Sequence, residues 1–197
     1  MTANPGKTTI QTDEAAERPT QRHCFDFDRL DSFVGAMGAD PAAGSVLLRS
    51  RHSWDGGFAV DGHTEGLTFS DRSIRTPHGV RTDWPAELGG GSSAPTAGQV
   101  GLAAVGSCVA TSYAVEAAQR GVELDALEVV VEGWVDLRGA FELADVDVAP
   151  SQVRVTIHAT AAAEDEVLAE LAEAAERSSP MYQSFANPVR MRVELGR

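Results

Sequence analysis

An α+β domain is the fold class that the chain predicts, and three observations predict it. Short segments punctuated by Asp-Gly pairs come first, then a long stretch without charge, then strands that alternate around one amphipathic helix. At 197 residues there is room for one domain with a sizeable core, preceded by an extension. Apolar residues at 43% and charged residues at 23% match an ordinary soluble globular protein.

Met1 to about Arg22 is polar and nearly devoid of large apolar side chains, so a disordered tail is expected. Phe25, Phe27, Leu30, Phe33, Val34 and Met37 then recur at helical spacing before Gly38 and Asp40-Pro41, which predicts a short amphipathic helix on the outside of the domain. Residues 1–43 are therefore expected to be an N-terminal extension and residues 44–197 the domain.

From Gly44 an antiparallel meander is expected, with Val46 to Arg51, Gly57 to Val60 and Leu67 to Phe69 as strands. The pairs Asp55-Gly56 and Asp61-Gly62 are read as hairpin turns. The run Gly89 to Ser93 predicts a loop, and without a following GK[ST] it is not a phosphate loop. Between Glu87 and Glu116 no residue is charged, and Gly121 supplies a stop. A helix with no charge on any face is expected to be buried on all sides, and a chain this small needs a partner subunit to surround it.

Leu127, Val129, Val131, Val135 and Leu137 alternate with Glu128, Glu132, Asp136 and Arg138, the period-two mark of a strand with one wet face. The alternation returns at Val153, Val155 and Ile157, and at Val189, Met191, Val193 and Leu195. Between these, Glu164, Asp165 and Glu166 open a segment with an apolar stripe and Arg177 near its end, a charge order that suits a helix dipole.

The balance of 29 acidic against 16 basic residues, a formal charge of -13, disfavours nucleic acid and anionic lipid surfaces as partners. No segment is expected to span a membrane, and a cytoplasmic protein is expected. The five histidines (His23, His52, His63, His78, His158) and the cysteines Cys24 and Cys108 lack metal-ligand spacing, so neither a metal nor a cofactor is expected. His63 and His78 read as surface loop residues. Trp54, Trp84 and Trp134 read as core or interface anchors, and the acidic side chains as solvated faces. Ser107-Cys108 lacks the GxSxG spacing of a hydrolase elbow.

The glycine-rich loop, the helix Ala97 to Cys108 with its cysteine near the middle, Arg120-Gly121-Val122, and the ending Ser178-Ser179-Pro180-Met181 with Phe185-Ala186-Asn187-Pro188-Val189 resemble the OsmC/Ohr family of thiol peroxidases from about Gly44 onward. The resemblance implies an OsmC-like fold, antiparallel sheets wrapped around a buried central helix in an intertwined homodimer. It implies oxidative-stress or hydroperoxide defence, with Cys108 as the peroxidatic thiol. The family's activating arginine follows two glycines, and here Gly56-Gly57 is followed by Phe58; its glutamate falls on Gly98 or Gln99; its second cysteine is Ser179. Arg49, Arg51 or Arg81 could replace the arginine, and an external thiol, or Cys24, could replace the second cysteine.

A one-cysteine peroxidase for organic hydroperoxides is thus the leading expectation, with Phe58, Gln99, Val105, Val109, Ser179, Met181 and Phe185 as candidates for its apolar pocket. The alternative is a noncatalytic protein that binds a small apolar molecule in the same fold. In that case Cys108 is a small buried hydrophobe and Ser179 a helix cap.

Overall fold

The computed structural model describes residues 25–69 and 72–196. The expected tail from Met1 to Arg22, and Cys24, lie outside the described residues. The first helix, α1 (Phe27–Ala39), begins where the Asp26 carboxylate accepts from the Arg29 amide at 3.1 Å. None of its side chains is buried, and Phe33 meets Phe69 edge-on at 5.5 Å, so it sits on the outside as expected.

Strands β1 (Val46–Trp54), β2 (Val60–Phe69) and β3 (Arg72–Ile74) form an antiparallel sheet in that order. The turn at Asp55-Gly56 is present, with Gly56 and Gly57 in the left-handed region at φ +99° and +52°. Asp61-Gly62 is not a turn. It runs through β2, opposite Ser53 and His52, and the strand expected over Gly57 to Val60 is mostly turn, with Val60 alone in β2. Gly62 serves close approach instead: a Cβ there would stand 2.3 Å from the His52 ring and 2.7 Å from the Val80 carbonyl oxygen. His63, expected in a loop, is consequently a strand residue. Segment 79–82 closes the other side of β2 through Val60 opposite Thr82 and His63 opposite Gly79.

The second half holds the core. The central helix α2 (Ala97–Gln119) is followed by β4 (Leu124–Trp134), the short helix α3 (Leu137–Ala140), β5 (Gln152–Ala161), α4 (Asp165–Ser178) and α5 (Pro180–Ala186). Positions i, i+4, i+8 and i+12 make one ridge of a helix, and Val105, Val109, Tyr113 and Ala117 on that ridge are buried. They pack with Leu171 and Ala175 of α4 and with the dry side of β4 and β5, where Leu127, Val129, Val131, Val155 and Ile157 lie. The Tyr113 hydroxyl donates to the Leu168 carbonyl at 3.2 Å, and burial raises its phenol above the usual range.

Three expectations change here. The helix is buried along one ridge only, and Ala103, Ser107 and Thr111 on the far side are exposed. Alternation through Val135 and Leu137 does not extend β4: the Asp136 carboxylate caps the Arg138 amide at 3.0 Å and starts α3, while the Arg138 guanidinium holds its acid at about 2. Val189 to Leu195 forms no strand, because no neighbouring strand among the described residues supplies its hydrogen bonds; Met191, Val193 and Leu195 are 90–97% exposed.

One segment does approach the length and apolarity of a membrane span, which the sequence reading passed over. α2 is long and apolar enough by length and composition. Its buried ridge accounts for that apolarity, since a core helix and a membrane helix share it. None of the tryptophans is a core residue: Trp54 and Trp134 are exposed, and Trp134 receives the Arg154 guanidinium 5.2 Å from its ring centre.

Candidate functional site

Thr96 and Gln99 fix the start of α2 in a reciprocal cap. The Gln99 amide donates to the Thr96 hydroxyl at 3.2 Å, and the Thr96 amide donates to the Gln99 side-chain oxygen at 2.8 Å. The T-x-x-Q spacing in the sequence announces this box, and reading Gln99 only as a pocket residue passed over it. Three turns in, Cys108 is a free, half-buried thiol with no hydrogen bond among the described residues. It lies two turns beyond Gly101 on one flank of the helix, and a Cβ at Gly101 would stand 3.5 Å from the Phe185 ring of α5.

The other flank carries a groove of about 380 Å³ lined by Gln99, Leu102, Ala103, Gly106, Ser107, Val129 and Val131. Gly106 keeps it close-fitting, since a Cβ there would meet a Val131 methyl at 3.1 Å. Of the residues expected to wall a pocket, Gln99 lines this groove, while Val105 and Val109 belong to the core on a different face. Met181 packs against that core and Phe185 faces Gly101. Phe58 is elsewhere: it stacks on Trp84 at 4.7 Å, and Trp84 meets Phe141 edge-on at 5.9 Å.

Ser179 is fully buried at the junction of α4 and α5, where its hydroxyl accepts from the Tyr182 amide at 3.3 Å. It caps α5, with Pro180 at the first helical position. The arginines that could have served Cys108 are engaged by acids of the first sheet. Arg49 and Arg51 lie 3.8 and 2.9 Å from the Glu65 carboxylate, and Arg81 pairs with Asp55 at 3.1 Å and with Asp61.

A residue that sequence reasoning missed organises the loop before α2. The Asp83 carboxylate, 3% exposed, accepts from the Trp84 amide at 2.7 Å, from the Gly91 and Ser93 amides at 3.1 Å each, and from the Ser93 hydroxyl at 2.8 Å. These donors, the Ser93 hydroxyl foremost, hold its acid at about 2. Glycine is required beside it, because a Cβ at Gly90 would stand 2.0 Å from the Trp84 carbonyl oxygen. Nothing local in Asp83-Trp84-Pro85 signals this, since the key partner lies ten residues on. Among the described residues no group of three His, Cys, Asp or Glu side chains is placed to hold a metal.

The family model for OsmC-like protein matches residues 89–194, from the glycine loop through the last apolar alternation. The chain belongs to the OsmC-like family. Solved structures of similar fold include an OsmC-like protein from Mycoplasma pneumoniae, 9% identical with a TM-score of 0.55 over 73% of this chain and 89% of that one. Another is an organic hydroperoxide resistance protein from Elizabethkingia anophelis, 12% identical with a TM-score of 0.50 over 72% and 89%. Among curated protein sequences none matches the chain. The OsmC-like match contains the whole of α2, and so places Cys108 inside the shared architecture.

Proposed function

We propose that this OsmC-like protein acts in hydroperoxide defence as a one-cysteine thiol peroxidase, with Cys108 as the reacting group. The observation that carries the proposal is the half-buried free thiol in the middle of α2, inside the family-matched segment and on the flank shared with Phe185. In the reaction the Cys108 sulfur attacks the outer oxygen of an organic hydroperoxide. The S–O bond forms, the O–O bond breaks, and the alcohol leaves with the proton that the thiol gives up. One external thiol condenses with the sulfenic acid, releasing water, and a second releases Cys108 as the thiol and departs as a disulfide.

Ser179 supports the one-cysteine form, because a buried capping hydroxyl has no redox chemistry to offer. A homodimer belongs to this reading. It is supported by the exposed ridge Ala103, Ser107 and Thr111 of α2, by a first sheet with no buried side chain, and by the unpaired apolar alternation from Val189 to Leu195. A soluble cytoplasmic location completes it, with no nucleic acid, membrane or cofactor involved.

A second reading, a noncatalytic protein that binds a small apolar molecule, is favoured by the arginines: Arg49, Arg51 and Arg81 are all matched by carboxylates of their own sheet. Trapping the sulfenic acid of Cys108 with dimedone, read by mass spectrometry, separates the two. The peroxidase reading expects rapid trapping with an alkyl hydroperoxide and none in Cys108→Ser. At about 0.8 kcal/mol per buried methylene, two buried carbons make the alkyl hydroperoxide about tenfold faster than hydrogen peroxide. Trapping no faster than that of an unfolded cysteine peptide supports the binding protein instead.

A further inference from the structure

The first sheet carries two irregularities at one level. The β1–β2 register shifts between Arg49 and Ser50, which pair with Gly66 and Thr64, so Glu65 is the extra residue of a β-bulge. Gly66 beside it has φ +135°, and a Cβ there would stand 2.2 Å from the Ile74 carbonyl oxygen and 3.1 Å from the Arg75 Cα. Only glycine lets the chain bring Arg75 across β2 this closely. Bulges commonly re-aim side chains next to functional sites.

What they aim is charge around a cavity. A groove of about 270 Å³ is lined by His63, Thr64, Glu65, Arg75 and Pro77, and an adjoining one of about 160 Å³ shares Glu65 and Arg75 and adds Arg49. The wall between β2 and segment 75–78 is pinned by Thr64. Its amide donates to the His78 carbonyl at 2.9 Å, its hydroxyl donates to the Thr76 carbonyl, and that hydroxyl accepts from the His78 amide at 3.0 Å. The Glu65 carboxylate is already taken up by Arg51 and Arg49, and their charge keeps its acid below the usual range, the Arg51 hydrogen bond contributing most. Arg75, by contrast, has no ion pair or hydrogen bond among the described residues, and the His63 ring, without a hydrogen bond there, acts electrostatically on Glu65.

Two guanidinium groups therefore share one carboxylate and a third arginine, Arg75, lines the same grooves, a local excess of positive charge in a chain whose formal charge is -13. The nearest other acid on this strand, Asp61, is matched by Arg81. An arginine that lines such a groove without an ion pair of its own carries a planar guanidinium suited to two-point recognition of an oxyanion.

We propose that the groove between β2 and segment 75–78 is a small-oxyanion site, in which Arg75 holds a carboxylate or phosphoryl group bidentately and the His63 ring donates a further hydrogen bond. The site lies on the first sheet and is independent of Cys108, so it stands or falls apart from the peroxidase reading.

The test is titration of the full-length protein with inorganic phosphate and, separately, acetate at constant ionic strength in chloride. Binding is followed by calorimetry and by the chemical shifts of the His63 ring and the Arg75 side chain. Saturable binding of either anion is expected, with both sets of shifts moving together, and the two titrations identify which oxyanion is preferred. Arg75→Met is expected to weaken it by about tenfold or more, the loss of a charge-assisted pair of hydrogen bonds. Arg190→Met on the exposed C-terminal segment is expected to leave it within about twofold. Glu65→Gln, which frees Arg49 and Arg51, is expected to tighten it. Response to both anions that never saturates, or equal effects of Arg75→Met and Arg190→Met with native circular dichroism in both, would overturn the proposal.

Discussion

Leu171 on α4 is the side chain through which the second half of the molecule is most sharply testable. It is 0% exposed and packs against Val105, Val109, Tyr113 and Ala117, the single ridge of α2 that the chain buries. Leu171→Ala removes three carbons, and at about 0.8 kcal/mol each their transfer contributes about 2.4 kcal/mol. α2 and α4 are pinned by the Tyr113 to Leu168 hydrogen bond and cannot close fully on the space. A residual cavity brings the expected loss to about 3–4 kcal/mol. With a urea slope of about 2 kcal/mol per molar, the unfolding midpoint should fall by about 1.5–2 M at fixed protein concentration, with the slope unchanged. Leu143→Ala, at a position 75% exposed, is the control and should change stability by less than about 0.5 kcal/mol. A loss below about 1 kcal/mol for Leu171→Ala, or one equal to the control, would refute the packing of α4 on that ridge.

Other outcomes follow from the same geometry. Ser179→Ala should cost about 1 kcal/mol through loss of the α5 cap, seen as a lower thermal midpoint, while Ser179→Asp, which retains an acceptor of larger size in a fully buried place, should cost more. Asp83 has an acid held at about 2 against an ordinary 3.8, so its contribution to stability is complete above about pH 4 and is lost as the pH falls through 2. Trp84 fluorescence in a Trp54→Phe, Trp134→Phe background should report loosening of the loop in that window, and Asp83→Asn should show the loosened signal at neutral pH. Val193→Asp, at a side chain 97% exposed, should be silent for a chain that works alone. The homodimer expects it to lower the sedimenting mass in analytical ultracentrifugation; an unchanged dimer would remove the C-terminal segment from the interface.

Local pattern was enough for the elements whose order is written in their own residues. The stripe of α4 carries a full helical period, Leu127 to Val131 and Val153 to Ile157 each carry a period of two, and the uncharged run from Leu88 to Val115 marks the helix of the core. The cysteine on α2 and the serine at the α4–α5 junction stood out only as positions in the ordered set of motifs that resembles the OsmC/Ohr family. Three-dimensional neighbours decided the rest. Asp55-Gly56 and Asp61-Gly62 are alike as dipeptides, and only the pairing of β1 with β2 makes one a turn and the other strand interior. The Asp136 cap outweighed the alternation at Val135 and Leu137.

The chain by itself determined α1, the central helix with its one thiol, β4, β5 and α4, and their order, because periodicity and apolar runs act within a few residues. Tertiary structure decided which ridge of α2 is buried, that Asp83 becomes a loop organiser, that Arg49, Arg51 and Arg81 are matched by acids, and that Arg75 lines a groove without an ion pair among the described residues. Those outcomes depend on side chains brought together from distant positions, and charge neutralisation and burial are properties of such encounters rather than of any stretch of sequence.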